Sequence, residues 1–472
     1  MKMQVSEIAQ TIGGELYGED LLLRHTVEGI TWDSRNVQPG NVFIAMPGEH
    51  VDGNDYICSA VQKGAGAIIC TRQPSANVLA IAGEFTCPVF VVDDAIEALE
   101  QMAGFWRDKI RAVVIGVTGS TGKTSTKDFL KSVLSQRFKT TATFGNYNNE
   151  IGVPATVLSA EEDTEILIVE LGMRGLHQIE KLCTFVKPNI GVITNIGVSH
   201  LELLGTRENI ALAKSELLRA LPSAGLAVLN ADDEYTPLVI EDGRILERGL
   251  NMRSYGFADD AVVRASEPDF DQSACAHFEI MTPNADPIAV TLRAPGRHNV
   301  SNALAAATVG LYLGLTAEEI SAGLESFEPS GMRLEIIHSR EGVTIVNDAY
   351  NANPDSMRAS LDTISTMDCT GRRIAVLGDM GELGDNEYQL HIDVGSYAAQ
   401  AKLDLLVCVG TLAVGIKSGA LAADMDVDKI MSFATVDEAL EFLNKNLKSG
   451  DLLLVKASRF MQMERIVKGV AE

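Results

Sequence analysis

Positive charge is in short supply in this chain: 39 Lys and Arg stand against 64 Asp and Glu, for a formal net charge of −25. Nucleic acid and anionic lipid both demand a basic footprint, so neither is expected as a partner, and any anionic ligand has to be met by local groups. Cysteine is sparse as well. The seven thiols (Cys58, Cys70, Cys87, Cys183, Cys275, Cys369 and Cys408) are scattered, odd in number and contain no CxxC. That excludes a disulfide framework and a zinc knuckle and leaves reduced, mostly buried thiols. No run of about 18 uninterrupted apolar residues is present. The longest candidate, "NALAAATVGLYLGL" from Asn302, reads as a buried helix. The opening "MKMQVSEIAQTIGG" lacks the apolar core and cleavage site of a secretory signal, so no membrane span and a cytoplasmic location are expected.

What remains is a globular composition, 46% hydrophobic and 22% charged, over 472 residues, too long for one core. Three stretches differ in texture. Residues 1–93 hold short alternating segments such as "NVFIAM", "GAIICT" and "CPVFVVDD". Residues 94–328 open with the helical pattern "AIEALEQMAGFWRDKI" and continue with apolar strands "AVVIGV", "EILIVELG", "IGVITNIG" and "LAVLNADD", separated by helix-length spacers. Such runs predict a doubly wound, mostly parallel sheet, with Glu170, Asn195 and Asp232 at the carboxyl ends where ligands bind. Residues 329–472 repeat the grammar in "RRIAVLGDMG", "LDLLVCVG" and "DLLLVKASR". They predict a second, smaller Rossmann-like unit, with Thr435 and Glu438 spaced as a capping box at a helix start. Pro329, Ser330 and Gly331 mark the hinge between the last two units. The fold class is therefore α/β in three domains: a small N-terminal unit, a central doubly wound sheet and a C-terminal Rossmann-like unit.

The stretch "VIGVTGSTGKTSTKDFL" carries the chemistry. A phosphate-binding loop needs glycines that let successive N–H groups face an anion, a lysine for charge, and a hydroxyl to hold Mg²⁺ where the next helix begins. Gly119, Ser120, Thr121, Gly122, Lys123, Thr124 and Ser125 supply those parts between a strand and an amphipathic helix pattern. The general pattern would place a glycine at position 117; here Val117 stands there and the glycine is Gly116. A guanine-specific switch would carry Asn-Lys-x-Asp, and the nearest match, Asn444-Lys445-Asn446-Leu447, lacks the aspartate. ATP is thus the expected nucleotide. Glu170, ending the strand "EILIVE", is placed to share the hard cation with Thr124, with an ordinary strand-end carboxylate as the alternative.

Together "TGSTGKTST", "ELGMRG", "TNIGVSHLELLGTRENIALAKSEL", "GRHNVSNALAA", "NDAYNANPDSMRASL", "LGDMGELG" and "KASRFMQMERIV" resemble the Mur ligase family, ATP-dependent amide-forming enzymes of peptidoglycan synthesis. The resemblance spans essentially the whole chain. It implies ATP and Mg²⁺, with Lys123 on the outer phosphates and Thr124, Glu170, His200 and Lys214 around the metal, Lys214 as a carbamate. For His200 a packed or surface histidine, and for Lys214 a helix-surface lysine, are the plain alternatives. Asn299 would read adenine, with helix capping as another role. Arg333 and Asp348 would reach the nucleotide from the third domain once the domains close, Arg333 near the phosphates. "NDAYNANPDSM" and the near-terminal "KxSRxxxME" imply that D-alanyl-D-alanine is joined to UDP-N-acetylmuramoyl-tripeptide. The N-terminal domain would then hold the UDP-sugar through Ser34 and Arg35, and Arg459 the dipeptide carboxylate; Asn149 and Asn351 complete the substrate-binding set. Asn54 after Gly53 departs from the usual Asp-Gly-His, and Ala457 from the commoner glycine. The chain is expected to act as a monomer. A ligase adding the previous residue, a folate polyglutamylase, and a P-loop ATPase acting as a switch are the competing readings.

Overall fold

The computed structural model of the chain describes residues 1–48 and 51–472. Besides a two-stranded pair of Lys2–Gln4 with Thr26–Glu28, three larger sheets lie in sequence order. The first, five-stranded, runs Glu15–Tyr17, Val89–Val91, Ala67–Cys70, Val42–Ile44, Ile30–Thr31 from edge to edge and is parallel except at Glu15–Tyr17. The helix Ala95–Lys109, capped by Asp94, follows it and leads into the central sheet.

Seven central strands are mutually parallel, in the order Thr140–Ala142, Ile166–Glu170, Val113–Thr118, Ile190–Ile193, Leu226–Asn230, Asn251–Gly256, Val263–Ala265. Side chains alternate between faces along each strand. Val114, Leu167 and Val169 join a core shared with Leu99, Trp106 and Leu217, and reaching Val5 and Phe90 of the N-terminal unit. Ile115, Val117 and Ile168 join the opposite core with Phe129, Leu130 and Ala303. Both faces are covered by helices, which is why these strands read as continuous apolar runs. Beyond them Cys275–Met281 pairs antiparallel with Ile288–Pro295, an extension for which the sequence reading made no provision.

The chain leaves Val113–Thr118 for Thr140–Ala142 on one side, whereas the adjacent Ile190–Ile193 leads to Leu226–Asn230 on the other, so the switch point of the sheet falls between the ends of these two strands, where a ligand crevice forms. The third sheet orders Glu335–His338, Thr344–Asn347, Leu452–Lys456, Arg373–Gly378, Leu405–Val409, Ile430–Phe433, antiparallel only at its first strand. Thr435 and Glu438 do form the expected capping box, at the start of Val436–Asn446. The third unit docks against the second: Asp368 N donates to Gln272 O (2.9 Å), and Ser330 Oγ to Asp128 Oδ2 (2.7 Å) on the helix Lys123–Leu134. All seven cysteines are free, five of them buried. Among the described residues no helix is long and apolar enough to cross a membrane.

Candidate active site

Gly119 (φ 151°) and Gly122 (φ 76°) hold the turn between Val113–Thr118 and Lys123–Leu134 in backbone that favours glycine. No side chain caps the first helical turn, so its N–H groups stay open for an anion. The loop is tied to the next strand end. Ser120 N donates to Asn195 O (2.9 Å), Thr121 N to Asn195 Oδ1 (3.0 Å), and Thr194 Oγ1 to Thr121 O (2.6 Å). Lys123 Nζ bends back over the loop to Gly119 O (2.7 Å) and Ser120 O (3.3 Å). Gly116, the displaced glycine, sits in the strand against Leu217 and takes no part.

Glu170, only 1% exposed, accepts from Thr124 Oγ1 (2.8 Å) and Asn148 Nδ2 (2.7 Å). Among the described residues no three or more His, Cys, Asp or Glu gather into a protein-only metal cage. Mg²⁺ needs none: one or two carboxylates, a hydroxyl and substrate phosphates are its usual donors, and a buried carboxylate bonded to a loop threonine fits that chemistry. His200 lines the same cleft, its Nδ1 2.7 Å from Glu382 Oε2 of the third unit.

Lys214, on Arg207–Arg219, is 1% exposed. Burial, reinforced by the Lys123 ammonium, pushes its pKa well below the usual lysine range. That shift favours the neutral amine that carbamate formation requires. Burial also lowers Lys123; the Glu170 carboxylate opposes this and the Arg333 guanidinium adds to it.

Arg333 stands between Met332 (φ 61°) and Leu334 (φ 52°), both in the left-handed region, with its guanidinium 4.2 Å from the Tyr350 ring centre. Asp348 accepts from Leu334 N (3.2 Å), Ser360 Oγ (2.6 Å) and Lys456 Nζ, whose ammonium also reaches Asn351 O (3.1 Å). Arg459 pairs with Glu464 (2.8 Å). Asn149 Oδ1 accepts from Gly152 N (2.9 Å). Arg333, Asp348, Asn351, Arg459 and Asn149, with the whole loop and Asn299, border one cleft of about 1460 Å³.

The remaining candidates are placed differently. Ser34 and Arg35 do not line the cleft. The Arg35 fork is filled by its neighbour Asp33 (Nη2 to Oδ2, 2.7 Å), whose carboxyl it holds down at about 2, and the Ser34 carbonyl accepts from Lys63 (2.8 Å). Trp32 lines it instead, 6.0 Å from the Tyr147 ring. Asn299 does not cap its helix: Gly296 occupies that position, and the Asn299 amide donates to Pro295 O (2.8 Å) and accepts from Asn302 (3.0 Å). Asp232 lies outside the cleft and binds the Phe257 and Ala258 amides. Residues 49 and 50 of the expected UDP-sugar segment lie outside the described residues. Lys456, Asn148 and Glu382 were not singled out, although "KASR", the asparagine-rich "GNYNNE" and "LGDMGELG" carry them.

Comparison with known proteins follows the same division. The description "Mur ligase family, catalytic domain" matches residues 26–107, "Mur ligase middle domain" 117–310, and "Mur ligase, glutamate ligase domain" 332–459. UDP-N-acetylmuramoyl-tripeptide–D-alanyl-D-alanine ligase of Bacillus subtilis is 34% identical, covering 100% of this chain and 99% of the relative. Among solved structures, MurF from Acinetobacter baumannii superposes with a TM-score of 0.87 at 31% identity, over 100% of this chain and 99% of that one. MurF ligase from Thermotoga maritima in complex with ADP gives 0.79 at 27% identity, over 96% and 98%. With full-length relatives above 30% identity, and with loop, acid and lysine in one cleft, the chain belongs to the Mur ligase family.

Proposed function

We propose that this chain is an ATP-dependent ligase that joins D-alanyl-D-alanine to UDP-N-acetylmuramoyl-tripeptide, giving the pentapeptide precursor, ADP and phosphate. The observation that carries the reading is the convergence of the loop, the Thr124–Glu170 pair, Lys214 and Arg333 on one cleft fed by all three units. Amide formation from a carboxylate in water is uphill, and a carboxylate is a poor electrophile. Phosphorylation answers both. The tripeptide's terminal carboxylate attacks the γ-phosphorus in line and ADP departs, leaving an acyl phosphate. The dipeptide amine then attacks the acyl carbon, loses its proton, and expels phosphate with the former carboxylate oxygen. Such transfers rest on positioning and charge neutralisation, and no nucleophilic side chain is required.

Lys123 and Arg333 balance charge on the transferring phosphoryl group. Thr124, Glu170, His200 and a carbamylated Lys214 hold Mg²⁺, which when bound neutralises the phosphate oxygens. Asn299 reads adenine and Asp348 the ribose. Residues 1–93 carry the UDP-sugar, 94–328 the nucleotide, and 329–472 the dipeptide, with Asn149, Asn351 and Arg459 on the substrates. The enzyme works as a cytoplasmic monomer. Phosphate release from ATP tests it. Release should require both UDP-N-acetylmuramoyl-tripeptide and D-alanyl-D-alanine; hydrolysis indifferent to both would favour the ATPase switch.

A further inference from the structure

The contact between His200 and Glu382 has no part in the scheme above, yet it joins two domains at the reacting centre. His200 belongs to the central unit. Glu382 belongs to the loop that follows Arg373–Gly378 in the third. The two meet at 2.7 Å (Nδ1 to Oε2), both line the cleft, and both hold left-handed backbone, φ 60° and 61°. Strain of that kind, on the order of 1–3 kcal/mol per residue, persists only where surrounding structure enforces it, and it concentrates at functional sites.

The enforcing structure is visible. Glu202 N donates to Glu382 O (3.4 Å), and Leu383 is 1% exposed. Gly384 lies so close that a Cβ there would come within 3.0 Å of Glu202 Cα. Arg174, from the loop after Ile166–Glu170, approaches the other carboxylate oxygen at 3.8 Å.

Binding strength alone gives this pair little purpose. The Glu382 side chain is 46% exposed, and an ion pair so wet contributes only about 0–1 kcal/mol. Orientation is a different matter. A metal-binding histidine commonly places its second ring nitrogen against a carboxylate, which fixes tautomer and ring angle. The ring N–H of His200 is not aligned on the carboxylate as the two side chains stand, and Nδ1 makes no hydrogen bond; a carboxylate only 2.7 Å away nonetheless favours the hydrogen on Nδ1 and leaves Nε2 as the free lone pair.

We propose that Glu382 is a positioning residue for His200, supplied across the domain boundary, so that the metal site beside the phosphate loop is completed only when the third domain has closed. This rests on His200 being a metal ligand. It adds that the ligand is set by the domain assigned to the dipeptide, which ties metal affinity to closure.

The test is Mn²⁺ binding to the full chain with ADP, followed by electron paramagnetic resonance, in wild type, Glu382→Gln, His200→Ala and the double variant. No turnover is involved. Glu382→Gln should weaken Mn²⁺ by roughly tenfold or more, the range for losing such a partner, and should add nothing once His200 is removed. Metal-free ADP affinity should be unchanged in Glu382→Gln. If His200→Ala weakens Mn²⁺ and Glu382→Gln stays within about twofold of wild type, the positioning role is wrong and the ligand assignment survives. If neither variant changes Mn²⁺ binding, both fall. Independent, additive losses would likewise overturn a role exercised through His200.

Discussion

Replacing Gly122 by alanine puts the phosphate loop to a quantitative test. At φ 76° a side chain carries left-handed strain of roughly 1–2 kcal/mol. The added Cβ would also lie 2.5 Å from Asn302 Oδ1, inside contact distance. Asn302 is 7% exposed; its Oδ1 accepts from Thr126 Oγ1 (3.1 Å) and its Nδ2 donates to Asn299 Oδ1 (3.0 Å). Turning the amide aside breaks both bonds, at about 1 kcal/mol each. The cradle conformation is thus disfavoured by about 3–4 kcal/mol. Because that conformation is the one nucleotide needs, ADP affinity should fall by roughly 10²–10³. Calorimetric titration with ADP–Mg²⁺ measures it, with circular dichroism to verify that the remaining fold is retained. An ADP Kd within about threefold of wild type would refute the loop as the phosphate site.

Lys123→Ala should lower phosphate release with all substrates present by on the order of 10³ or more while leaving the fold intact; near-normal turnover would remove Lys123 from the site. Burial depresses His298 from 6.5 to about 4. Between those values the unfolded chain holds the extra proton, so this contribution to stability is full above 6.5 and is lost as pH falls through 4. The loss is at most about 3 kcal/mol. His298→Gln should melt with a shallower dependence between pH 7 and 4, and an unchanged slope would contradict the assignment. The lowered Lys214 pKa predicts that activity drops in CO₂-free buffer and returns with bicarbonate, most readily at alkaline pH where more amine is neutral. Indifference to bicarbonate in both wild type and a Lys214→Arg variant would exclude the carbamate.

Much of this architecture could be read from residues alone because strands covered on both faces spell themselves out. "VVIGVT" and "ILIVE" are apolar up to a single polar residue at the end and "IGVI" throughout, and the loop glycines sit where the strand ends. Thr435 and Glu438 specify a local cap that no distant contact overrides. The antiparallel extension was harder. Cys275–Met281 and Ile288–Pro295 do alternate between buried and exposed residues, but their pairing depends on partners far along the chain. Arg35 shows how a guanidinium fork suited to a diphosphate also suits the carboxylate two residues away. Lys127, 2% exposed and bonded to Thr143 O and Gly145 O, resembles any helical lysine in sequence. Glu382 acquires meaning only when a second domain brings it to His200.

The central claim is that the tripeptide's terminal carboxylate accepts the γ-phosphoryl group held by residues 119–124 before the amide forms. Isotopic tracing tests it directly: label that carboxylate with ¹⁸O, run the ligation to completion with ATP and D-alanyl-D-alanine, and weigh the phosphate by mass spectrometry. An acyl phosphate requires one ¹⁸O in each phosphate released. Phosphate free of the label, with ligated product formed, would contradict it.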